Sequence, residues 1–167
     1  MTKKKQPLTE ALEIGDRIPD ISLIADNGES INLSDFSGKF AVLYFYPKDD
    51  TPGCTKEAND FSCRIKDFQK KNTVILGVSR DPITSHQRFK DKYNIPYLLL
   101  ADTDEALCNH FGVIKNKNMY GKQVRGIERS TFLIGKDGAI LKIWRKVDVP
   151  GHVDDVLASI AELTTPK

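Results

Sequence analysis

The sequence predicts an α/β fold with a central mixed β-sheet flanked by helices, and three observations carry that reading. Apolar runs at 40–46 and 73–79 are each bounded by turn residues and followed by a longer helical pattern, the signature of βαβ units. The second run, Val74-Ile75-Leu76-Gly77-Val78, is continuously apolar, as strands are when helices cover both faces of the sheet. Two later runs, 130–134 and 139–144, flank Gly135-Lys136-Asp137-Gly138, whose Asp-Gly pair signals a hairpin and makes one end of the sheet antiparallel.

Along the chain, residues 1–13 read as a flexible N-terminal tail in which Lys3, Lys4 and Lys5 form a solvated run. Residues 14–167 read as a single domain, because 167 residues with 40% apolar and 29% charged content suit one core. The run 40–46 is a buried strand. The helix after Pro52 carries an apolar stripe at Ala58, Phe61, Ile65 and Phe68, with Lys56, Asp60, Asp67 and Lys70 on the opposite face. Strand 73–79 and a helix near 84–93 follow. Residues 115–122 read as one long polar connection. After the hairpin, Val153, Val156, Ile160 and Leu163 fall at helical spacing and give a closing amphipathic helix.

Composition excludes several classes of function. A net charge of +2 lacks the basic excess needed to neutralise many phosphates, so nucleic acid is not expected as a partner. The longest apolar stretch, 40–46, is far short of the ~20 residues of a membrane-spanning helix. No apolar segment follows the N-terminal lysines as in a signal peptide, so a cytoplasmic location is expected. Cys54, Cys63 and Cys108 include no CxxC pair, which points to reduced thiols and not to a disulfide framework or a zinc knuckle. His86, His110 and His152 are scattered and read as ordinary polar residues, with no metal site expected. No Gly-rich phosphate loop is present, and no cofactor is expected.

Chemistry concentrates at one thiol. With Thr51 as N-cap, Pro52 falls at the first helical position, where its missing N–H is harmless, and Cys54 falls at the third. The Thr51 hydroxyl is then expected to accept the Cys54 N–H, and the positive helix end favours an ionised, nucleophilic sulfur. Cys54 lies four residues before Ala58, so the sulfur faces the sheet. Cys63, nine residues on and about 180° around the helix, faces away. The plainer alternative is a small buried cysteine that happens to sit near a helix start.

The run from Tyr44 to Ala58, with Pro47, Thr51 and Cys54 in the spacing Pro, three residues, Thr, two residues, Cys, resembles the active-site segment of peroxiredoxins. Tyr120-Gly121-Lys122 with 126–134 is similar to a second signature of the bacterioferritin-comigratory, or PrxQ, subfamily. The resemblance implies a thioredoxin-like fold and a peroxidase in which Cys54 attacks the terminal oxygen of a hydroperoxide and becomes a sulfenic acid. It implies that Thr51 hydrogen-bonds substrate and sulfur, that Arg129 holds the thiolate and the developing charge, and that Pro47 screens the pocket. It also implies a monomer recycled by thioredoxin, by glutaredoxin with glutathione, or by another thiol reductant. Glu57 occupies a position the subfamily fills with Glu or Gln, and is equally expected as a first-turn acid.

The chain departs from the pattern where many members carry a resolving cysteine, five residues after the first: here that residue is Asn59. The segment 86–91, where others place it, has no cysteine either. Cys63 is ~13.5 Å of helical rise from Cys54, against the ~5.5–6 Å usual between bridged Cα atoms. Cys108 reads as a partly buried structural cysteine. Sulfenic Cys54 is therefore expected to be reduced by an external thiol, or through an intermolecular bond to Cys63. Two other functions compete: a thiol-disulfide oxidoreductase, which normally needs a CxxC pair, and a non-catalytic holdase or interaction module on the same fold.

Overall fold

The computed structural model describes residues 11–164. Seven strands form its central sheet: β1 (Ser22–Ala25), β2 (Ser30–Asn32), β3 (Phe40–Phe45), β4 (Thr73–Ser79), β5 (Leu98–Ala101), β8 (Ser130–Ile134) and β9 (Ile140–Arg145). Their spatial order is β2-β1-β5-β4-β3-β8-β9. β3, β4 and β5 are parallel, while β8 and β9 add an antiparallel end and β1 and β2 the other. The mixed sheet is the one expected, with β1, β2 and β5 additional to it.

Alternation along β3 explains why the run is apolar throughout. Leu43 and Phe45 face one core with Val78, Leu100, Phe111 and Phe132. Val42, Tyr44 and Tyr46 face a second core with Phe61, Phe68, Phe89 and Leu133. Helices α1 (Pro52–Cys63), α2 (Ile65–Lys70), α3 (Ile83–Tyr93) and α5 (His152–Thr164) contribute to the second core, and α4 (Ala106–Phe111) to the first. None is long enough to be stable alone; each is held by its buried stripe, such as Ala58, Phe61 and Phe68, where full burial of one large apolar side chain stabilises by about 1.5–3 kcal/mol. The helix expected after Pro52 is broken at Arg64, whose backbone leaves helical geometry and whose side chain bonds Asp67 and Asp154.

The polar connection expected at 115–122 is instead a two-stranded hairpin, β6 (Ile114–Met119) and β7 (Lys122–Ile127), outside the main sheet. Tyr120 and Gly121 both take positive φ, 52° and 78°, the geometry that a tight two-residue hairpin turn demands. Arg125 on β7 is forked onto Glu105, and at the base of the hairpin Ile127 is buried in the first core with Ile114 packed against it. Of the expected tail at 1–13, residues 1–10 lie outside the described residues. Leu12 is buried in the first core and its N–H bonds the His110 carbonyl at 3.2 Å. No described helix is long and apolar enough to cross a membrane.

Candidate active site

Topology brings two separated segments together at the carboxyl ends of the parallel strands, where open α/β sheets place their sites. β3 ends at Phe45 and the chain turns through 47–51 into α1, which presents Cys54 on its first turn. The antiparallel neighbour β8 begins opposite that end, Ser130 pairing Phe45, so the residue before it, Arg129, reaches over the helix start. Its Nη2 donates to Cys54 Sγ at 3.4 Å and its Nη1 donates to Glu57 Oε1 at 2.8 Å. A Cβ at Gly53 would lie 3.0 Å from the same Nη2, so a residue without a side chain is what lets the guanidinium close on the sulfur.

Cys54 faces the sheet as expected and is 1% exposed. Thr51 is the N-cap, but its hydroxyl does not cap: Oγ1 donates to the Lys48 carbonyl at 2.9 Å, and no side chain accepts from the first-turn amides. The expected bond to Cys54 N–H is corrected accordingly; the loop brings a carbonyl acceptor within reach of a hydroxyl that can serve either partner. The oxygen's lone pairs are left for another donor. Pro47 is half-buried and, with Asn116, Lys115, Glu128, Lys146 and Val147, borders a cleft of about 510 Å³ beside Arg129.

Glu57 is not a first-turn acid. It sits one turn further in, three residues from Cys54 on the same face, fully buried, with Oε1 on Arg129 and Oε2 without a partner among the described residues. Burial raises its pKa from 4.5 to about 7 against the pull of Arg129. Burial also works against the Arg129 charge, yet Glu57 and Cys54 outweigh it and hold the guanidinium above its ordinary value. A carboxyl on the otherwise apolar buried face of α1 was the available sequence signal, because such a group demands a cation nearby.

The sign of the Glu57 shift fixes a pH dependence. The folded chain keeps a proton that the unfolded chain releases, so its stabilisation is complete below about pH 4.5 and is lost as pH rises through about 7. Glu57→Gln keeps an acceptor for Arg129 and removes the ionisation. Denaturant titrations from pH 4.5 to 8 are expected to show wild type losing up to about 3 kcal/mol relative to the Gln variant across that range. Parallel profiles for the two proteins would contradict the assignment.

The other thiols stand apart. Cys63 is exposed, as expected, near Lys56, Asp60 and Arg64 at the far end of α1. Cys108 is fully buried in the first core, on the opposite side of the sheet from Cys54, and burial together with an Asp102 hydrogen bond pushes its thiol up, away from reactivity. Asn59, half-buried on α1, stands five residues after Cys54, at the resolving-cysteine position that the resemblance implies. Two of the histidines are not ordinary surface residues. His86 is buried against Asp49 and the Leu100 carbonyl, and His152, hydrogen-bonded to Thr131, is pushed down to about 4 by burial.

Comparison with known proteins places this geometry. The AhpC/TSA family pattern matches residues 14–143. Peroxiredoxin Bcp of Bacillus subtilis is 49% identical over 153 residues, 92% of this chain and 98% of that one. Peroxiredoxin Bcp of Xanthomonas campestris is 49% identical over 154 residues, 92% and 96% of the two chains. Among solved structures, a cysteine-to-serine mutant of Xylella fastidiosa PrxQ superposes with a TM-score of 0.90 at 41% identity, covering 93% of this chain and 99% of that one. A structure of the Xanthomonas campestris bacterioferritin comigratory protein, concerned with its alkyl peroxide reduction activity, superposes with a TM-score of 0.86 at 46% identity, covering 92% and 100%.

Proposed function

Because the chain belongs to the AhpC/TSA family, among the Bcp/PrxQ peroxiredoxins with their thioredoxin-like fold, we propose that Cys54 is its peroxidatic nucleophile and that Arg129, Thr51 and Pro47 serve it. The chain is a thiol-dependent peroxidase that takes a peroxide and a thiol reductant. The observation that carries the residue assignment is the Arg129 guanidinium, donating to Cys54 Sγ from within a buried pair with Glu57.

The thiolate of Cys54 attacks the terminal oxygen of the hydroperoxide. The S–O bond forms as the O–O bond breaks, the sulfur is oxidised to sulfenic acid, and the departing oxygen leaves as an alkoxide or hydroxide that takes up a proton. Arg129 stabilises the anionic sulfur and the charge that passes onto oxygen, and it is aimed before substrate arrives. Thr51, with its own proton committed to the Lys48 carbonyl, accepts the peroxide O–H. Pro47 and Val147 give the neighbouring cleft an apolar wall beside Lys115 and Lys146, which suits organic hydroperoxides as well as hydrogen peroxide.

The second half-reaction needs a thiol from outside the chain. Asn59 holds the resolver position, α3 has no cysteine, Cys108 lies across the sheet, and Cys63 is exposed at the far end of α1. Sulfenic Cys54 condenses with one external thiol to a mixed disulfide and water, and a second thiol releases Cys54 and an external disulfide. Thioredoxin, or glutaredoxin with glutathione, supplies these thiols. After one equivalent of peroxide, intact mass and peptide mapping are expected to find one oxygen on Cys54, or a Cys54–Cys63 bond between two chains. A Cys54–Cys63 or Cys54–Cys108 bond within one chain would overturn this second half.

A further inference from the structure

The loop 47–51 carries Pro47 and Thr51 yet has no regular secondary structure, so its shape depends on what grips it. Asp49 is the grip. Its buried carboxylate accepts the Tyr46 hydroxyl at 2.6 Å on Oδ1 and the Ser85 hydroxyl at 2.8 Å on Oδ2, and Oδ2 lies 2.7 Å from His86 Nδ1. The Lys48–Asp49 peptide is held at both ends: its N–H donates to Asp81 Oδ2 at 2.8 Å, and its carbonyl receives the Thr51 hydroxyl at 2.9 Å. That unit is planar, so fixing the N–H end fixes where the Thr51 oxygen sits.

His86, with no exposed surface, reaches this carboxylate from α3. Its Nε2 lies 2.9 Å from the Leu100 carbonyl, which can only accept, so Nε2 carries a hydrogen. A neutral ring would then turn the Nδ1 lone pair on the Asp49 carboxylate, and a 2.7 Å approach is attractive only with a proton between them. Asp49 also accepts from two hydroxyls, so that shared proton completes a closed set of hydrogen bonds around its carboxyl group. The donor atoms of Asp49, Asp81 and His86 lie within 4.8 Å of one another, close enough to hold a cation. Asp81 Oδ2, however, is taken by the Asp49 N–H and the Ser79 hydroxyl, and the proton shared between Nδ1 and Asp49 fills the remaining gap.

We propose that His86, hydrogen-bonded to the Asp49 carboxylate, is a positioning residue for the catalytic loop, setting the Thr51 hydroxyl through the Lys48–Asp49 peptide. The inference rests on the reading that Thr51 serves Cys54. A second tie joins the same loop to α3, Asp50 to Lys92 and Tyr93, but it is solvent-exposed and contributes little to holding the loop. Because α3 carries no cysteine, a fixed α3 is compatible with turnover through an external thiol.

Two measurements test it. Stopped-flow oxidation of Cys54 by hydrogen peroxide is expected to slow about tenfold or more in His86→Gln, because a small displacement of a reacting group is enough to lose that much. Alkylation of Cys54 by iodoacetamide, which needs no Thr51 hydroxyl, is expected to stay within about twofold, and Asp50→Ala to change neither rate. An unchanged peroxide rate in His86→Gln, or both rates falling together, overturns the proposal. Should His86→Gln not fold, Ser85→Ala removes one donor to Asp49 and is expected to slow peroxide alone by a smaller factor; equal effects on both reagents overturn the proposal there too. A wild type that never oxidises at Cys54 would overturn the peroxidase reading as well, whereas a normal wild type with an unaffected variant overturns this inference alone.

Discussion

Cys54→Ser is expected to reduce hydroperoxide consumption to the rate of buffer and reductant alone, with any thiol donor, while the protein stays folded. A serine hydroxyl is close to the size of the thiol and remains within reach of Arg129, but it is un-ionised at neutral pH and a poor nucleophile toward the O–O bond. Burying a hydroxyl in place of the thiol at a site that is 1% exposed costs about 1 kcal/mol. Loss of activity with a nearly unchanged unfolding midpoint therefore separates chemistry from folding. Cys63→Ser and Cys108→Ser, in contrast, are expected to consume the first equivalent of peroxide at the wild-type rate, since one thiol is exposed at the far end of α1 and the other lies across the sheet. Equal rates in wild type and Cys54→Ser would remove the nucleophile from this site and return the chain to the class of non-catalytic interaction modules.

The elements that were legible in the sequence are those whose residues answer to burial alone. The runs at 40–46, 73–79 and 130–134 appear as β3, β4 and β8 because two cores, one on each face of the sheet, bury nearly every position and fill most of them with apolar side chains. The β6–β7 hairpin reads as a loop because between Ile114 and Ile127 at its base its strands carry lysines and asparagines, and Arg125 on Glu105 anchors it by charge across a distance no local pattern encodes. At the site, Cys54 and the direction of its sulfur followed from helical spacing. Thr51 takes the N-cap position that the spacing predicts but not the predicted bond, since its hydroxyl donates to a carbonyl that only the folded loop supplies. Glu57 and His86 were underread for one reason. A polar residue on a buried face declares itself through its partner, and the partners, Arg129 and Asp49, lie 72 and 37 residues away.

Arg129→Met is expected to damage both properties that the Arg129–Glu57 pair couples, and a second substitution separates them. Removing the cation leaves Glu57 buried with neither oxygen satisfied, and breaking a buried pair from one side costs about 3–5 kcal/mol. Loss of the preorganised donor to Cys54 is expected to slow oxidation by peroxide by about 10²–10³, the usual effect of deleting one such donor. In Arg129→Met/Glu57→Met the buried charge is gone and the space is filled by apolar side chains, a replacement that is often neutral or stabilising. Stability is therefore expected to return while the rate stays at the level of the single variant. Arg129→Lys keeps the charge but cannot place two donors in a fixed fork, one toward Glu57 and one toward Cys54, so it is expected to fall between wild type and Met in rate. Chemical unfolding and stopped-flow oxidation on the same four proteins check this. If the double variant recovers its rate along with its stability, Arg129 acts on Cys54 only by keeping the helix in place, and the electrostatic role assigned to it is wrong.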